Sequence, residues 1–352
     1  MTPTADVVVV GAGIVGASVA YHLARAGSDV VLLDKALPAS GATGDSFAWI
    51  GRGTVDAPPE QLLLRRQVLS DYRRLERELP GVHVRWTGSL SWRHDEPAAI
   101  DDDARDRQDS DASRVAQLEP QLLTPPARAA LRADDGAVDP VAVVEALIGG
   151  ARDRGATIRS GIAVEELTVR DHTVVGVHTS AGFLPARTVV LASGADAPVL
   201  CAPLGFALPV TASPALLMRF SAAPGVVRTL VSNDDLEVRE AADGHLLAAW
   251  DYDGQTSQQD LDRAGKQLLD ELRSSFSGTG DLQLLSVRVG MRPMPADGSP
   301  VIGPVPTAPG AYLAVMHSGV TLAPTVGRLV AGEITDGTDA EELRLLRPAR
   351  FT

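Results

Sequence analysis

The sequence predicts an α/β fold in which a domain built on a parallel sheet carries an inserted antiparallel sheet. Residues 5–33 predict a strand, a glycine turn, a helix and a second strand, which together form a parallel βαβ unit. Two later stretches differ from this pattern. Residues 84–93 alternate like a strand, and residues 236–252 predict a hairpin that turns at Asp243 and Gly244.

The composition limits the classes of partner. The chain has 352 residues, 45% of them hydrophobic, which suffices for one large domain or two smaller ones. Its formal net charge of −13 argues against nucleic acid or an anionic membrane, because both bind concentrated positive charge. One cysteine, Cys201, excludes an internal disulfide, residues 1–6 lack the basic start of a signal peptide, and no apolar stretch approaches the ~20 residues that cross a bilayer. We therefore expect a cytoplasmic protein with a small-molecule partner and no membrane span.

The opening βαβ unit predicts a dinucleotide-binding site. Residues 5–10 are rich in valine, as in a strand buried on both faces, and residues 14–26 have the apolar spacing of a helix. Gly11 permits the tight turn between them, Gly13 lets the backbone approach a pyrophosphate, and Gly16 lets the helix pack on the strand. The free N–H groups at the helix start then face the phosphates.

The second strand ends in a carboxylate that supports the same site. Residues 30–33 form this strand and Asp34 follows, ~20 residues after the glycine turn, where an acidic side chain meets a ribose hydroxyl pair. A carboxylate there disfavours a 2′-phosphate. The pattern does not separate FAD from NAD. The cofactor-binding residues predicted in this unit are Gly11, Gly13, Ile14, Val15, Gly16, Asp34 and Lys35.

A second glycine-rich stretch, residues 38–51, lies just beyond the acidic strand end, where further cofactor contacts would fall. Here the chain resembles the D-amino acid oxidase family of flavoproteins, which includes glycine and sarcosine oxidases. In that family a loop of the Ser-Gly-Ala-Thr type wraps the FAD diphosphate and approaches the flavin ring. An ordinary flexible loop is the alternative. The resemblance implies the cofactor role for Ser40, Gly41, Ala42, Thr43 and Gly44, with Ser46, Phe47 and Trp49 nearer the ring.

Two later segments extend the resemblance. Residues 134–167 predict a helix that begins near Asp139 and a strand from Thr157. The family has the same helix and strand, and the resemblance implies that the backbone of Val164 touches the adenine. Residues 186–200 predict a buried strand that ends in a glycine turn. Both segments could be ordinary sheet strands. The residues that the resemblance places close to FAD after the second strand are Ala192, Ser193 and Gly194.

The most specific part of the resemblance lies in residues 289–334. They contain Gly-x-Arg-Pro, Asp-x-x-Pro-x-Ile-Gly, a strand at 312–315 and a glycine-led final helix, as the family does. We expect Pro324 to lie in the first turn of that helix, where N–H groups lack intrahelical partners. The resemblance implies that the helix start points at flavin N1 and the C2 carbonyl, where its dipole stabilises the reduced ring. The residues so placed are Ser318, Gly319, Val320 and Thr321.

Arg292, His317 and Tyr252 are the candidate catalytic residues. The arginine could hold a substrate carboxylate by two parallel hydrogen bonds, as the matching arginine does in glycine oxidase-like members, and a buried ion pair or a purely architectural role is the alternative. The loop at His317 is shorter than the family's "HFRNG" type, so a larger amino acid, an N-alkyl amine or a carrier-attached substrate also fits. Tyr252 and Trp250 share a strand face and could line the pocket or pack in the core. Arg239 could lie either in the pocket or on the surface.

The resemblance implies a Rossmann-like (GR2-type) FAD-binding domain with an inserted antiparallel-sheet substrate domain. The first is expected at 1–80, 138–210 and 288–352, and the second at 81–137 and 211–287. FAD is expected to be noncovalent, since residues 292–295 contain no cysteine for a covalent link. No metal is expected, because the acidic run 101–111 lacks paired histidines and an EF-hand loop.

The predicted reaction is oxidation of the C–N bond of a small amine or amino acid, similar to glycine, sarcosine or a D-amino acid. A hydride passes to flavin N5 and leaves an imine that hydrolyses, while the protein positions the substrate. Neither Lys35 nor Lys266 lies in a motif that matches the family's oxygen-activating lysine, so the electron acceptor can be oxygen or another molecule. The alternatives are a flavin-binding subunit of an electron-transfer complex and an NAD-dependent dehydrogenase.

Overall fold

The computed structural model describes residues 4–53, 59–94 and 108–352. Most of the acidic run 101–111, and with it the prediction that it binds no metal, lies outside the described residues. No helix in the described part of the chain combines the length and the apolar character needed to cross a membrane.

The described residues form two large sheets and a short two-stranded one. The strands are β1 Ala5–Val10, β2 Val30–Asp34, β3 Trp49–Ile50, β4 Ser89–Ser91, β5 Gln108–Asp111, β6 Arg128–Arg132, β7 Gly136–Ala137, β8 Thr157–Ser160, β9 Val164–Arg170, β10 Thr173–Thr179, β11 Gly182–Leu191, β12 Val210–Ser221, β13 Leu230–Ser232, β14 Glu237–Glu240, β15 Leu246–Trp250, β16 Gln283–Pro295, β17 Val301–Pro304 and β18 Ala311–Val315. The helices are α1 Ile14–Arg25, α2 Leu62–Arg65, α3 Val68–Glu78, α4 Ala112–Leu118, α5 Pro140–Arg152, α6 Ala197–Cys201, α7 Gln258–Ser275 and α8 Gly319–Asp336.

The first sheet has the parallel core that the sequence predicts. β1 lies between β2 and β11 and is parallel to both, with β8 beyond β2 and β18 beyond β11. Val7 and Val9 pack in one hydrophobic cluster, whereas Val8 and Val10 pack in another. The strand is therefore buried on both faces, which explains its run of valines.

The second sheet is mostly antiparallel and has the order β16-β12-β15-β14-β13-β4-β6-β5. The hairpin predicted within residues 236–252 is formed by β14 and β15. The strand predicted at 84–93 is shorter than expected, because the chain turns at Gly88 (φ +72°) and Arg85 instead pairs with Ala137 in another sheet. The predicted domain boundary between 287 and 288 falls inside β16, which pairs with β12 along its whole length.

The two faces of the second sheet meet different surroundings. Val238 and Ala248 pack with Leu268 of α7 in one hydrophobic cluster. Because side chains alternate along a strand, Glu237 and Ala249 face the other way, toward the first sheet and its loops. The face that carries polar residues is thus turned to the rest of the protein and not to bulk solvent.

Pro324 lies in the interior of α8, so the prediction that it occupies the first turn is wrong. A proline there cannot donate to the carbonyl four residues earlier, which belongs to Val320. Tyr72 of α3 replaces the missing donor, since its hydroxyl lies 2.5 Å from the Val320 oxygen. Burial raises the pKa of Tyr72, so the hydroxyl keeps its proton. The helix tolerates proline because a distant side chain satisfies the carbonyl.

Replacing Tyr72 with phenylalanine is expected to lower the free energy of unfolding by about 1–3 kcal/mol, the cost of a buried carbonyl that loses its donor. Urea denaturation followed by circular dichroism measures the change. Tyr252→Phe is the matched control, because the half-buried Tyr252 hydroxyl forms no hydrogen bond within the described residues. Equal midpoints for the two variants would show that the Val320 contact contributes nothing.

Candidate active site

A large cavity of ≈ 1060 Å³ lies between the carboxyl ends of the parallel strands and the second sheet. Ligand cavities in proteins commonly measure ~300–1,000 Å³, so this one is large enough for an extended ligand. The Gly11 turn and the start of α8 at Gly319 both open onto it. The segments that the sequence analysis singled out therefore converge, although they are far apart along the chain.

The turn after β1 brings backbone close to backbone. Gly11 has φ +104°, and a Cβ on it would lie 2.6 Å from the carbonyl oxygen of Ala192. A Cβ on Gly16 would lie 1.8 Å from the Gly11 oxygen, so Gly16 serves the packing of α1 on the turn and does not line the cavity. Next to Ala192, the buried hydroxyl of Ser193 has no hydrogen-bond partner among the described residues. This polar atom lies where a ligand can satisfy it.

The loop after β2 covers the start of α1. Gly13 precedes the helix and has no side chain to cap it. The hydroxyl of Thr43 accepts a hydrogen bond from the N–H of Ile14 at 3.1 Å, which fixes the loop over the helix start. Gly44 does not line the cavity. A Cβ there would lie 2.6 Å from the oxygen of Ala39, so the loop's own backbone requires glycine at this position. Its role is to shape the loop.

The acidic end of β2 lies at the same cavity. Asp34 accepts hydrogen bonds from the N–H groups of Ala12 (2.6 Å) and Ala36 (2.8 Å), so the carboxylate is held in place by backbone. Lys35 forms an exposed ion pair with Asp196 at 2.6 Å, and this contact raises the pKa of Lys35. Val164 lines the cavity as well.

The start of α8 is a second uncapped helix N-terminus at the cavity. Ser318 precedes it in the left-handed region (φ +57°) and makes no side-chain cap. The hydroxyl of Thr321 donates to the backbone oxygen of Trp49 at 2.7 Å, which ties α8 to the loop that follows β2. Two helix starts, a glycine turn and the unpartnered Ser193 hydroxyl fit a ligand with an anionic diphosphate and a ring that gains negative charge on reduction, as FAD has.

Arg292 lies on β16 and lines the cavity. Its Nη2 donates to the hydroxyl of Ser213 (3.0 Å) and to the carbonyl of Pro214 (3.3 Å), which hold the guanidinium from one side. Within the described residues it forms no ion pair, and its Nη1 makes no hydrogen bond, so the alternative of a buried ion pair is not observed there. The two N–H groups of Nη1 are therefore left for a ligand.

His317 lines the cavity near two arginines. Burial and the positive charges of Arg292 and Arg65 lower its pKa to about 4. The imidazole is therefore neutral at neutral pH, and one ring nitrogen can accept a proton or a hydrogen bond. Arg65 of α2 is a further neighbour that no local pattern in the sequence indicates, because it lies 253 positions before Ser318. Its Nη2 is 3.4 Å from the Ser318 hydroxyl.

The structure does not bring every predicted residue to the cavity. Tyr252 lies beyond the end of β15 and packs half-buried against the cluster under α7, whereas Trp250 lines the cavity. Arg239 lies neither in the cavity lining nor on the surface, since it is buried and donates to the backbone oxygens of Phe47 (2.7 Å) and Val138 (3.2 Å). All predicted site residues except Gly16, Gly44 and Tyr252 line the cavity.

A model of the DAO family, described as FAD dependent oxidoreductase, matches residues 6–333. The chain belongs to this family. The predicted family, the oxidoreductase class and FAD as cofactor are confirmed, and FAD replaces the NAD-dependent alternative. Noncovalent attachment stays a prediction. Cys201 is buried in the hydrophobic cluster that includes Val8 and Val10.

Related proteins cover nearly the whole chain. The uncharacterized oxidoreductase YurR of Bacillus subtilis (strain 168) is 28% identical over 366 aligned residues, which span 94% of this chain and 95% of YurR. A glycine oxidase of Bacillus licheniformis is 27% identical over 352 residues, which span 94% of this chain and 92% of the relative. The crystal structure of glycine oxidase from Geobacillus kaustophilus superposes with a TM-score of 0.88 at 23% identity, over 99% of both chains. This likeness confirms the fold.

Proposed function

We propose that this FAD-dependent oxidoreductase oxidises the C–N bond of a small amine or amino acid that carries a carboxylate. The observation that carries the proposal is Arg292, which faces the cavity beside His317 with Nη1 unengaged in the described part of the chain. Glycine oxidase, the name of two of the similar proteins, denotes an enzyme that acts on an amino acid. This supports the same class of substrate.

The protein's part in the reaction is to orient the substrate and to offer its nitrogen a hydrogen-bond acceptor. Arg292 would bind the carboxylate by charge-assisted hydrogen bonds. The contacts to Ser213 and Pro214 hold the guanidinium in one position, so that it fixes the position of the bound carboxylate. The neutral His317 ring can accept a hydrogen bond from the substrate nitrogen. When bound, FAD supplies flavin N5 as the acceptor of a hydride from the carbon next to nitrogen. The imine left behind hydrolyses in water.

An anaerobic absorbance screen tests this function. The purified, FAD-loaded protein is mixed with glycine, sarcosine and both enantiomers of larger amino acids, and loss of the flavin absorbance reports substrate oxidation. We expect at least one carboxylate-bearing amine to bleach the flavin, with ammonia or a smaller amine and an oxo acid as products. A yellow protein that no amine in the panel bleaches would contradict the proposal and favour an electron-transfer subunit. Reoxidation by air, or by added dyes only, then identifies the class of acceptor.

A further inference from the structure

A carboxyl group without a partner lies on the same sheet face of the cavity wall as Arg292. Glu237 belongs to β14 and lines the cavity, and no hydrogen bond or ion pair to its side chain occurs within residues 4–53, 59–94 and 108–352. Arg239 is nearby but donates to three backbone oxygens, those of Phe47, Glu240 and Val138. Arg292 is also engaged on one side by β12. Glu237 thus has neighbouring positive charges and no direct counterion.

The sheet register shows how far apart the two groups are. Glu237 pairs with Ala249, Ala249 with Leu217, and Leu217 with Arg288, so these positions form one row across four strands. Arg292 is four positions further along β16 and therefore on the same face. Three strand spacings separate the backbones of β14 and β16 by ~14 Å, and four positions along β16 add an offset of ~13 Å, so the two Cα atoms are ~19 Å apart. A ligand that touches both side chains must be longer than the carboxylate and amino group of glycine.

The electrostatics of Glu237 favour a cationic ligand. Burial raises its pKa to about 7, and Asp251, which follows β15 and also lines the cavity, acts in the same direction. Arg239 on the same strand and Arg292 on β16 oppose the shift. A half-buried carboxylate without a counterion is costly, and a bound ammonium group would reduce that cost.

We propose that the substrate carries a second, cationic nitrogen at the end remote from its carboxylate, and that Glu237 binds this group while Arg292 binds the carboxylate. This inference rests on the proposed function and narrows it to amino carboxylates with a distal ammonium or alkylammonium group. Asp251 lies on the same cavity wall and adds negative charge beside the binding position. Glu237 is then a specificity-determining residue.

Binding of 5-aminopentanoate and pentanoate to the FAD-loaded protein tests the proposal. The two ligands share a carboxylate and chain length and differ in the terminal ammonium, and anaerobic titration followed by flavin absorbance gives their dissociation constants. We expect 5-aminopentanoate to bind about tenfold more tightly at pH 8, the effect of one charge-assisted hydrogen bond. If it bleaches the flavin, the concentration dependence of bleaching supplies its affinity.

Glu237→Gln is expected to abolish the preference by weakening the binding of 5-aminopentanoate, whereas the binding of pentanoate should not weaken. The control Glu145→Gln removes the same charge from an exposed position on α5 outside the cavity, and it should retain the preference. Equal affinities in the unmodified protein, failure of both ligands to bind, or a preference that survives Glu237→Gln would each overturn the inference. Bleaching by glycine or alanine together with any of these results would leave the proposed reaction standing and refute only the role of Glu237.

The pH dependence gives a second readout. Glu237 is mainly protonated at pH 6 and ionised at pH 8, so the preference for 5-aminopentanoate should rise across this interval. The ligand ammonium stays charged, since its pKa is about 10. Among the charged groups near Glu237, Arg239 keeps its positive charge across this interval, because its lowered pKa is still about 10. Arg292 and Asp251 are the other charged groups that act on Glu237. A pH-independent preference would overturn the assignment to Glu237.

Discussion

Replacing Arg292 with lysine is expected to lower kcat/KM for a carboxylate substrate by about 100-fold. A lysine has no planar fork, so it cannot bind a carboxylate through two parallel hydrogen bonds. It also cannot hold the contacts to Ser213 and Pro214 while it reaches the ligand. A shift of the reacting carbon by ~1 Å costs ~100-fold in rate. Anaerobic stopped-flow reduction should show both a weaker substrate affinity and a slower flavin reduction.

Two comparisons separate this effect from general damage. Arg344→Lys makes the same change in an exposed ion pair with Glu341, outside the cavity, and should leave kcat/KM unchanged. A small amine without a carboxylate should react equally with the unmodified protein and with Arg292→Lys. If Arg292→Lys retains full kcat/KM for the carboxylate substrate, the anchor role is refuted.

Replacing Gly11 with alanine is expected to weaken FAD binding by at least about 100-fold, so that the protein is purified largely colourless. The backbone at Gly11 has φ +104°, which costs a side-chain-bearing residue about 1–2 kcal/mol. The added Cβ would also lie 2.6 Å from the Ala192 oxygen, which belongs to backbone and cannot rotate away. The β1 turn and the β11 end must therefore separate at the point where both line the cavity. The ratio of flavin to protein absorbance and titration of the apoprotein with FAD measure the loss.

Gly332→Ala is the matched control for Gly11→Ala. Gly332 lies in α8, and a Cβ there meets nothing within 4 Å. Alanine inside a helix stabilises by about 1 kcal/mol relative to glycine, so Tm should rise slightly and FAD content should stay full. A Gly11→Ala protein with full FAD content would show that the close approach at this turn is not required for cofactor binding.

Much of the cofactor-binding half was predicted correctly because its signals are local. The strand at Ala5–Val10 and the helix from Ile14 occur where the valine run and the glycines predict them. Asp139 caps α5 as expected, and its carboxylate accepts hydrogen bonds from the N–H groups of Val141 (2.9 Å) and Ala142 (3.2 Å). Each feature depends on residues within a few positions of one another, so sequence spacing is sufficient to predict it.

The errors share a different cause. Pro324 was expected in a first helical turn because local rules allow it only there, and Tyr72, 252 positions earlier, supplies the donor that the helix interior lacks. Tyr252 was a catalytic candidate with core packing left open, and the structure packs it against the cluster under α7 because the strand ends before it. The domain boundaries stay a prediction, with β16 crossing one of them.

The sequence by itself determined the βαβ unit, the hairpin and a dinucleotide cofactor, because backbone geometry and short-range spacing specify them, whereas the choice of FAD came from the resemblance to the family. Only the tertiary structure decided what meets the substrate. Alternation along β14 shows that Glu237 and Arg239 share a face opposite Val238, and it assigns that face to solvent by default. Packing instead turns it toward the first sheet, where Arg239 is buried against backbone and Glu237 lines the cavity with Arg292. The sequence specifies which charged residues share a strand face, whereas the surface that this face packs against depends on how the whole chain folds.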